Sequence, residues 1–268
     1  EGEPVRLRQA MRHAALSPGK RFRPLLTLLT ARRCGLGGWQ ALDPACAIEL
    51  IHAASLLLDD LPCMDDAAVR RGQPTAHRIF GEDIAILAAV GLLNEAYAVV
   101  AGSDVLDGST RAAICRLLAH TVGPHGLLGG QEFDLRDRRR AVDPAVIARF
   151  NHAKTGILMQ AAVECGAIVA GADEEERQRL RAFGRHLGDA FQTLDDLLDA
   201  TSSPDTIRKD VGKDEGREAS VVSLFGAKGA RRAVERHLDL ACQAIGPRQN
   251  ADPVVDYVRA SFAAFAQA

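Results

Sequence analysis

Apolar residues recur every three to four positions through most of this chain, and the alternating pattern typical of strands is scarce. This spacing predicts helices over about 24–34, 44–61, 82–101, 109–121, 144–171, 173–200, 218–225, 228–245 and 253–266. The segment 44–61 is apolar on almost all sides, which is typical of a buried central helix. The predicted breaks fall at 35–38, 71–74, 102–108, 123–130, 137–143 and 202–216, and all of them except 137–143 contain glycine or proline. We therefore predict an all-α fold, a bundle of long core helices.

Composition restricts the class of protein. The chain has 268 residues, 47% of them hydrophobic, and no linker-like stretch divides it, so we expect a single domain over 1–268. A formal net charge of -2 gives no global attraction to nucleic acid, and none is expected as a partner. The six cysteines are scattered without metal-type spacing, which fits a reducing cytoplasm.

No membrane span is expected from the sequence. The longest apolar stretch, Ile84 to Leu93, is shorter than the ~20 residues that a transmembrane helix needs. The charged start of the chain also lacks the apolar core of a signal peptide. We therefore expect a soluble, cytoplasmic protein.

The stretch Asp59 to Asp66 places four carboxylates in eight residues, directly after a buried apolar run. The C-terminal end of a helix already carries partial negative charge, so these aspartates need a cation nearby. Mg²⁺ prefers oxygen ligands and binds through one or two carboxylates plus substrate phosphates. The alternative for such a run on its own is a solvated acidic loop.

A second acidic cluster, Asp195-Asp196-Leu197-Leu198-Asp199, favours the metal interpretation. Asp195 and Asp199 are one helical turn apart and share a face, so they can hold one ion between them. Two such clusters far apart in sequence suggest a facing pair of metal-binding sites.

Basic residues occur close to the predicted acidic site. Lys20 and Arg23 are three residues apart at a predicted helix start, so they can bind one phosphate group together. A solvated basic face is an equal alternative. Arg70 and Arg71 follow the first acidic cluster, where they can bind diphosphate oxygens or pair with Asp65 or Asp66. His52 lies two turns before Asp59 and is either a core histidine or a binding residue.

Two further stretches carry lysines in unusual places. Lys154-Thr155-Gly156 interrupts an apolar helical pattern, where glycine costs roughly 1 kcal/mol and a lysine that faces the core needs a partner. Lys209 lies in a glycine-bearing loop just after the second acidic cluster, where a lid would sit, although an ordinary surface loop is the alternative. Together, the acidic and basic groups around an apolar interior predict a pocket for a substrate with a diphosphate head and a hydrocarbon tail.

These motifs resemble those of the trans-prenyl diphosphate synthase family, the head-to-tail isoprenoid chain elongases, and most of all its bacterial geranylgeranyl diphosphate synthases. The resemblance covers essentially the whole chain, because six motifs occur in the family's order. They are Gly19 to Pro24, the DDxxxxD stretch Asp59 to Asp65 with Arg70-Arg71-Gly72, Gly130-Gln131 through Asp134, Lys154-Thr155, Phe191-Gln192, and Asp195 to Asp199.

The resemblance implies an isoprenoid synthase helical bundle that is usually a homodimer and holds three Mg²⁺ ions, with Mn²⁺ as a possible substitute. It implies metal ligands at Asp59, Asp60, Asp65, Asp195 and Asp199, with Asp66 and Asp196 in support. It implies that an allylic diphosphate is held by Arg70, Lys154 and Lys209, and isopentenyl diphosphate by Gly19, Lys20, Arg23, His52 and Arg71. Thr155, Gln192 and the Lys154 carbonyl would stabilise a carbocation by their dipoles.

Product length is expected to depend on the residues one turn below Asp59. These are Ala54 and Ser55, both small, where family members that stop at C15 often carry an aromatic residue. We therefore expect geranylgeranyl diphosphate (C20), with farnesyl diphosphate (C15) as the nearest alternative. A terpene cyclase is less consistent with the second acidic cluster and with Lys20 and Arg23, and a non-catalytic partner subunit would be expected to have lost one acidic cluster.

Overall fold

The computed structural model describes residues 4–136, 152–201, 221–246 and 252–266, together with Val146 and Arg149. Helices account for nearly all of the regular structure within these ranges. They are α1 (Val5–Leu16), α2 (Phe22–Arg33), α3 (Leu42–Asp59), α4 (Ala76–Phe80), α5 (Glu82–Ala101), α6 (Gly108–Val122), α7 (Leu127–Arg136), α8 (Ile157–Val169), α9 (Glu174–Thr201), α10 (Val221–Ile245) and α11 (Pro253–Phe265). The predicted all-α fold is confirmed.

The remaining regular elements are short. A 3₁₀ helix (Gly38–Ala41) precedes α3, and a π-helical turn (His152–Gly156) precedes α8. The strands β1 (Val69–Arg70) and β2 (Gln73–Pro74) form an antiparallel hairpin, with Val69 opposite Pro74 and Arg70 opposite Gln73. This hairpin matters because it carries two of the predicted diphosphate-binding arginines.

The helix α3 lies at the centre of the bundle and contacts α2, α5 and α8. It joins two apolar clusters because it is apolar on more than one side. The larger cluster contains Ile48 and Ile51 of α3 together with Phe183 and Leu187 of α9. The smaller one contains Ala54 and Leu57 of α3 with residues of α1 and α5. The C-terminal end of α3, where the acidic cluster begins, is thereby fixed by packing on both sides.

One predicted break was wrong in detail, and one predicted boundary between helices was correct. The stretch 123–130 was expected to interrupt the helices, yet α7 begins at Leu127 and contains Gly129 and Gly130. Gly130 lies against the backbone of Lys154, where a Cβ atom would be 2.5 Å from the Lys154 nitrogen. The glycine therefore permits close approach of two segments instead of ending a helix. The boundary predicted between the segments 218–225 and 228–245 is confirmed, because Gly226 has non-helical backbone angles (φ 67°, ψ 172°) and kinks α10 at that point.

Two helices meet the length and composition of a membrane span, Trp39–Asp59 with 21 residues and Glu82–Ala101 with 20 residues. The length argument from Ile84 to Leu93 therefore fails, because the apolar helix is twice as long as that stretch. In the most apolar window of each helix, 50% and 33% of the residues are buried inside the protein. Core helices of soluble proteins pass the same test, so the absence of a span stays a prediction.

Candidate active site

A cavity of about 800 Å³ opens beside the C-terminal end of α3. Its walls come from α2, α3, the β1–β2 hairpin, α7, the π-helical turn, α8, α9 and α11. It combines acidic, basic and apolar side chains. The lining residues include Asp59, Asp65 and Asp195; Lys20, Arg23, Arg70, Arg71 and Lys154; and Leu56, Leu58, Leu127, Leu128, Leu158, Phe191 and Phe265. A polar ligand group and a hydrocarbon can therefore occupy the same cavity.

The first acidic cluster is folded into a tight turn at the end of α3. The amide of Asp65 donates to the carbonyl of Asp59 at 2.9 Å, which brings these two residues to the same side of the loop. Both line the cavity, whereas Asp60 does not. Asp60 is buried and accepts from Nε and Nη2 of Arg70 at 2.8 and 2.5 Å. The predicted ion pair of Arg70 therefore exists, but its partner is Asp60 instead of Asp65 or Asp66.

The second acidic cluster lies on α9. Asp195 lines the cavity, and Asp196 is buried and accepts from Nε2 of Gln192 at 2.8 Å. Gln192 in turn accepts from the hydroxyl of Thr155 at 2.7 Å. These two bonds fix the orientation of the Gln192 amide and tie α9 to the π-helical turn. The backbone of Asp199 belongs to α9, but its side chain lies outside the described residues, as does Lys209.

Lys154 extends from the π-helical turn into the cavity, where Nζ lies 2.6 Å from Oδ2 of Asp134. The Asp134 side chain is 4% exposed, so the ion pair is well shielded on that side. A π-helical turn presents side chains at an angle that a regular α-helix does not, and such turns are frequent at functional sites. The sequence predicted a helix over 144–171 in which Lys154-Thr155-Gly156 is costly, but it predicted neither the π-helical turn nor the pairing of Lys154 with Asp134.

Five predicted isopentenyl diphosphate residues surround one part of the cavity. Nε2 of His52 lies 3.4 Å from Nη1 of Arg23 and 3.5 Å from Nη2 of Arg71. Nζ of Lys20 lies 3.8 Å from the ring centroid of Phe265. Gly19 packs against Arg71, since a Cβ atom there would be 2.6 Å from Nη1. The structure thus brings Gly19, Lys20, Arg23, His52 and Arg71 to one cationic wall.

Acidic side chains neutralise this cationic wall only in part. Burial lowers the pKa of Arg23 to about 10, although Glu49 and Asp195 oppose the shift. Burial also lowers the pKa of His52 well below its usual value, and Arg23 and Arg71 lower it further. Among the described residues, Nε of Arg23 is buried without a hydrogen-bond partner. An anion bound at this wall would supply the missing negative charge.

On the acidic side of the cavity, the carboxylates in turn would be stabilised by additional positive charge. Burial raises the pKa of Asp59 to about 6; Lys154 and Arg70 oppose the rise, and Asp65 and Asp60 add to it. The available donors are carboxylate oxygens on two sides of an open cavity, which is the ligand type that Mg²⁺ prefers. The residues therefore fit a hard divalent cation that is shared with a ligand's phosphate oxygens.

The two predicted chain-length residues differ in position. Ser55 lines the cavity, and its hydroxyl donates to the carbonyl of His52 at 2.9 Å. Ala54 is fully buried in the smaller apolar cluster and does not line the cavity. Ser55 therefore borders the space that a hydrocarbon would fill, while Ala54 faces α1 and α5.

Three cavity residues received no role from the sequence. Glu49 lines the cavity and pairs with Arg21, while Phe191 and Phe265 supply aromatic surface. Glu49 occurs three residues before His52, and this helical spacing was the available signal. Phe265 could not be assigned to the cavity from the sequence, because only the folded structure brings α11 into contact with α2.

Comparisons with known proteins agree with this geometry. The profile of the family described as "Polyprenyl synthetase" matches residues 4–258. The geranylgeranyl diphosphate synthase of Pseudescherichia vulneris is 47% identical over 234 residues, which are 87% of this chain and 75% of that protein. The farnesyl diphosphate synthase of Geobacillus stearothermophilus is 38% identical over 241 residues, covering 89% and 81% of the two chains.

Solved structures show the same fold. A geranyltransferase of Helicobacter pylori complexed with magnesium and isoprenyl diphosphate matches with a TM-score of 0.88 and 27% identity, covering 100% of this chain and 90% of that one. An FPP/GFPP synthase of Zymomonas mobilis matches with a TM-score of 0.84 and 34% identity, covering 98% and 90%. By sequence and by structure, this chain belongs to the polyprenyl synthetase family.

Proposed function

We propose that this prenyltransferase condenses isopentenyl diphosphate with allylic diphosphates in a Mg²⁺-dependent reaction and releases geranylgeranyl diphosphate (C20). The observation that carries the proposal is a single cavity with two differently charged walls above an apolar interior. Asp59 and Asp65 at the end of α3 and Asp195 on α9 form the acidic part of the cavity, and the wall around His52 is cationic. Two diphosphates need such a division, because one requires metal ions and the other requires only cationic side chains.

Asp59, Asp65 and Asp195 would hold the metal ions, with Asp199 and the buried Asp60 in support. Three Mg²⁺ ions are proposed from the family resemblance, and Mn²⁺ is an alternative because it accepts the same oxygen ligands. When bound, Mg²⁺ neutralises the charge of the departing diphosphate. Asp60 contributes by fixing Arg70 through the ion pair described above.

Arg70 and Lys154 would bind the allylic diphosphate, together with Lys209. Both described side chains line the cavity and are held by buried carboxylates, Arg70 by Asp60 and Lys154 by Asp134. Each cation is thereby positioned before the substrate arrives, so little reorganisation is needed when negative charge develops on the leaving group.

Isopentenyl diphosphate would bind the cationic wall formed by Lys20, Arg23, His52 and Arg71. His52 is neutral at pH 7 because of its lowered pKa, so its Nε2 accepts hydrogen bonds from the two guanidinium groups. It therefore orients Arg23 and Arg71 without adding charge. The backbone of Gly19 completes this wall, where the absent side chain leaves room for Arg71.

The reaction itself needs no protein nucleophile. The allylic C–O bond breaks, its electron pair leaves with the diphosphate, and a delocalised carbocation remains. The isopentenyl double bond supplies two electrons to form the new C–C bond, and loss of a proton to the released diphosphate restores a double bond. Thr155, Gln192 and the Lys154 carbonyl contribute dipoles beside the carbocation, and the bonds from Thr155 to Gln192 to Asp196 keep them oriented.

The proposed C20 product follows from the surface below Asp59. Ser55 is small and lies next to the leucines Leu56 and Leu58 along the cavity wall. A C15 intermediate would therefore find space for one further addition. Farnesyl diphosphate as the final product is the second candidate, and it requires closure of the cavity at the level of Ser55.

We also propose that the protein acts as a homodimer through α5. Ile86, Leu87 and Val90 are 44%, 53% and 59% exposed and lie on neighbouring positions of this helix. An apolar face of this kind is favourable when a second copy covers it. Light scattering on the purified protein should give twice the chain mass, and Leu87→Glu with Val90→Glu should give the monomer mass.

Labelled isopentenyl diphosphate tests the proposed reaction. We expect label in an acid-labile or phosphatase-released alcohol only when an allylic diphosphate and Mg²⁺ are both present. A hydrocarbon made from the allylic diphosphate without incorporation of label would instead identify a terpene cyclase. No turnover by folded protein with Mg²⁺ would contradict the proposal.

A further inference from the structure

A second group of metal-ligand side chains lies outside the cavity, where α9 meets α10. His186 and Asp189 are three residues apart on α9 and share a face, and His237 of α10 lies beside them. One ligand atom from each of these residues lies within 4.8 Å of the other two. None of the three is among the residues that line the cavity. The group therefore has no part in the proposed condensation.

The polar atoms of this group face each other without bonding. Nδ1 of His237 lies 3.8 Å from Oδ2 of Asp189, and Nδ1 of His152 lies 4.0 Å from Oδ1 of the same carboxylate. Both gaps are too long for a hydrogen bond. Within the described part of the chain, Nδ1 of His152, His186 and His237 are all buried without a hydrogen-bond partner. Buried nitrogen atoms without a partner are unfavourable unless something binds them.

The spacing suits a metal ion. Zn²⁺ binds imidazole nitrogen and carboxylate oxygen at about 2.0–2.2 Å, so that two ligand atoms on one ion are separated by about 3.4 Å. The gap of 3.8 Å between His237 and Asp189 is close to this separation, and a small side-chain rotation would close it. Nitrogen donors favour Zn²⁺, Co²⁺, Ni²⁺ and Cu²⁺, whereas Mg²⁺ favours oxygen donors.

The protonation states of His186 and His237 also favour metal binding. Burial lowers the pKa of His186 and of His237, which keeps both imidazoles neutral and able to donate a lone pair at pH 7. Arg185 lowers the pKa of His186 further, and Arg236 that of His237. These arginines disfavour a bound cation, and the Asp189 carboxylate offsets them.

We propose that His186, Asp189 and His237 bind one transition-metal ion of the Zn²⁺ class. The ion would join α9 to α10. It would therefore act as a structural brace behind the cavity wall. Its ligand chemistry differs from that of the all-carboxylate site inside the cavity.

Co²⁺ titration of the full chain, stripped of metal and free of Mg²⁺ and substrate, tests this site. We expect visible absorption bands typical of four or five ligands, and these bands should saturate at one ion per chain. Combined His186→Gln and His237→Gln substitutions should weaken this binding at least tenfold. The exposed His125 provides a matched control, because His125→Gln should bind as the parent does. Asp195→Asn should also leave the absorption bands unchanged. Equal Co²⁺ binding by the parent and the double variant would overturn the proposal.

X-ray absorption on the Zn²⁺-loaded parent provides a test that needs no variant to fold. We expect at least two imidazole ligands and no sulfur ligand. Sulfur in the first coordination sphere would place the ion at one of the six free cysteines and contradict the proposal. Oxygen ligands alone would place it at the aspartates of the cavity and contradict it equally. The melting temperature of the parent should rise with added Zn²⁺ by more than that of the double variant, and an equal rise in both would also count against the site.

Discussion

Lys154 and Asp134 form an ion pair at the edge of the cavity, with 2.6 Å between Nζ and Oδ2. Lys154 comes from a π-helical turn and Asp134 from α7, and Gly130 allows the two segments to approach. The carboxylate fixes the ammonium group where we propose that the allylic diphosphate binds. Asp134 is thus a positioning residue that acts through Lys154.

We predict that Asp134→Asn raises the KM for the allylic diphosphate about tenfold, because the amide holds the ammonium group less tightly than a carboxylate does. The KM for isopentenyl diphosphate should change little, since its proposed wall is elsewhere in the cavity. Steady-state kinetics with each substrate varied in turn checks this. Glu132→Gln, at an exposed position on the same helix, is the control and should match the parent. An equal rise in both KM values for Asp134→Asn would contradict a positioning role.

The aspartates of the cavity should be needed for catalysis and not for folding. Asp59→Asn and Asp195→Asn should each lower kcat/KM about 1000-fold, because each removes a negatively charged metal ligand. Their far-ultraviolet circular dichroism should match that of the parent. Asp104→Asn, at an exposed loop position, should retain full activity. Retained activity in Asp59→Asn would exclude this residue as a ligand.

Removal of the metal should reproduce the effect of these substitutions. We expect excess EDTA to abolish incorporation of isopentenyl diphosphate and added Mg²⁺ to restore it, since the proposed allylic site depends on the ion. The measurement is incorporation before EDTA, after EDTA and after Mg²⁺. Activity that persists in EDTA would contradict metal dependence.

A bulky side chain at Ser55 should shorten the product. Ser55 lines the cavity, so the ring of Ser55→Phe would occupy the space proposed for the growing hydrocarbon. We expect the main product to shift from C20 to C15, as measured by chromatography of the dephosphorylated alcohols. Ser55→Ala is the matched control and should retain the C20 product. An unchanged product from folded Ser55→Phe would show that chain length is limited elsewhere.

His52 should make the protein less stable in mild acid. Its pKa is about 6.5 in the unfolded chain and well below that in the folded protein. The unfolded state therefore takes up a proton first as the pH falls below 6.5, and this residue progressively lowers the free energy of unfolding in that range. Above pH 7.5 the effect disappears.

His52→Gln keeps a hydrogen-bond acceptor but cannot titrate. Urea unfolding at pH 7.5 and 5.5 should show a smaller acid-induced loss of stability in this variant than in the parent. His120→Gln, at an exposed position, should behave like the parent. The same loss in His52→Gln as in the parent would mean that His52 is not neutral in the fold.

Helix spacing and the order of motifs were readable from the chain, but side-chain direction was not. Apolar periodicity predicted α3 and α5 because packing against neighbours follows the helical repeat. The same reasoning could not separate Asp59, which lines the cavity, from Asp60, which turns to Arg70, because the loop geometry decides this. Similarly, the 3.6-residue repeat places Ala54 and Ser55 side by side, and tertiary packing alone assigns one to the core and the other to the cavity.

Contacts between distant segments were also beyond the sequence. Gly129 and Gly130 looked like a break because glycine disfavours helices, and the close approach to Lys154 that explains Gly130 is a tertiary feature. His186 and Asp189 showed a helical spacing, but nothing in the chain linked them to His237. Such groups become visible only when the packing of α9 against α10 is known.

The most direct test of the account is the length of the product that the purified protein makes from farnesyl diphosphate, labelled isopentenyl diphosphate and Mg²⁺. The account predicts a labelled C20 alcohol after dephosphorylation, lost in Asp59→Ala and Asp195→Ala. If farnesyl diphosphate is not extended while geranyl diphosphate is converted to a C15 product, the enzyme class stands and the open cavity below Ser55 is contradicted. If no allylic diphosphate is extended by the folded protein, the central claim fails.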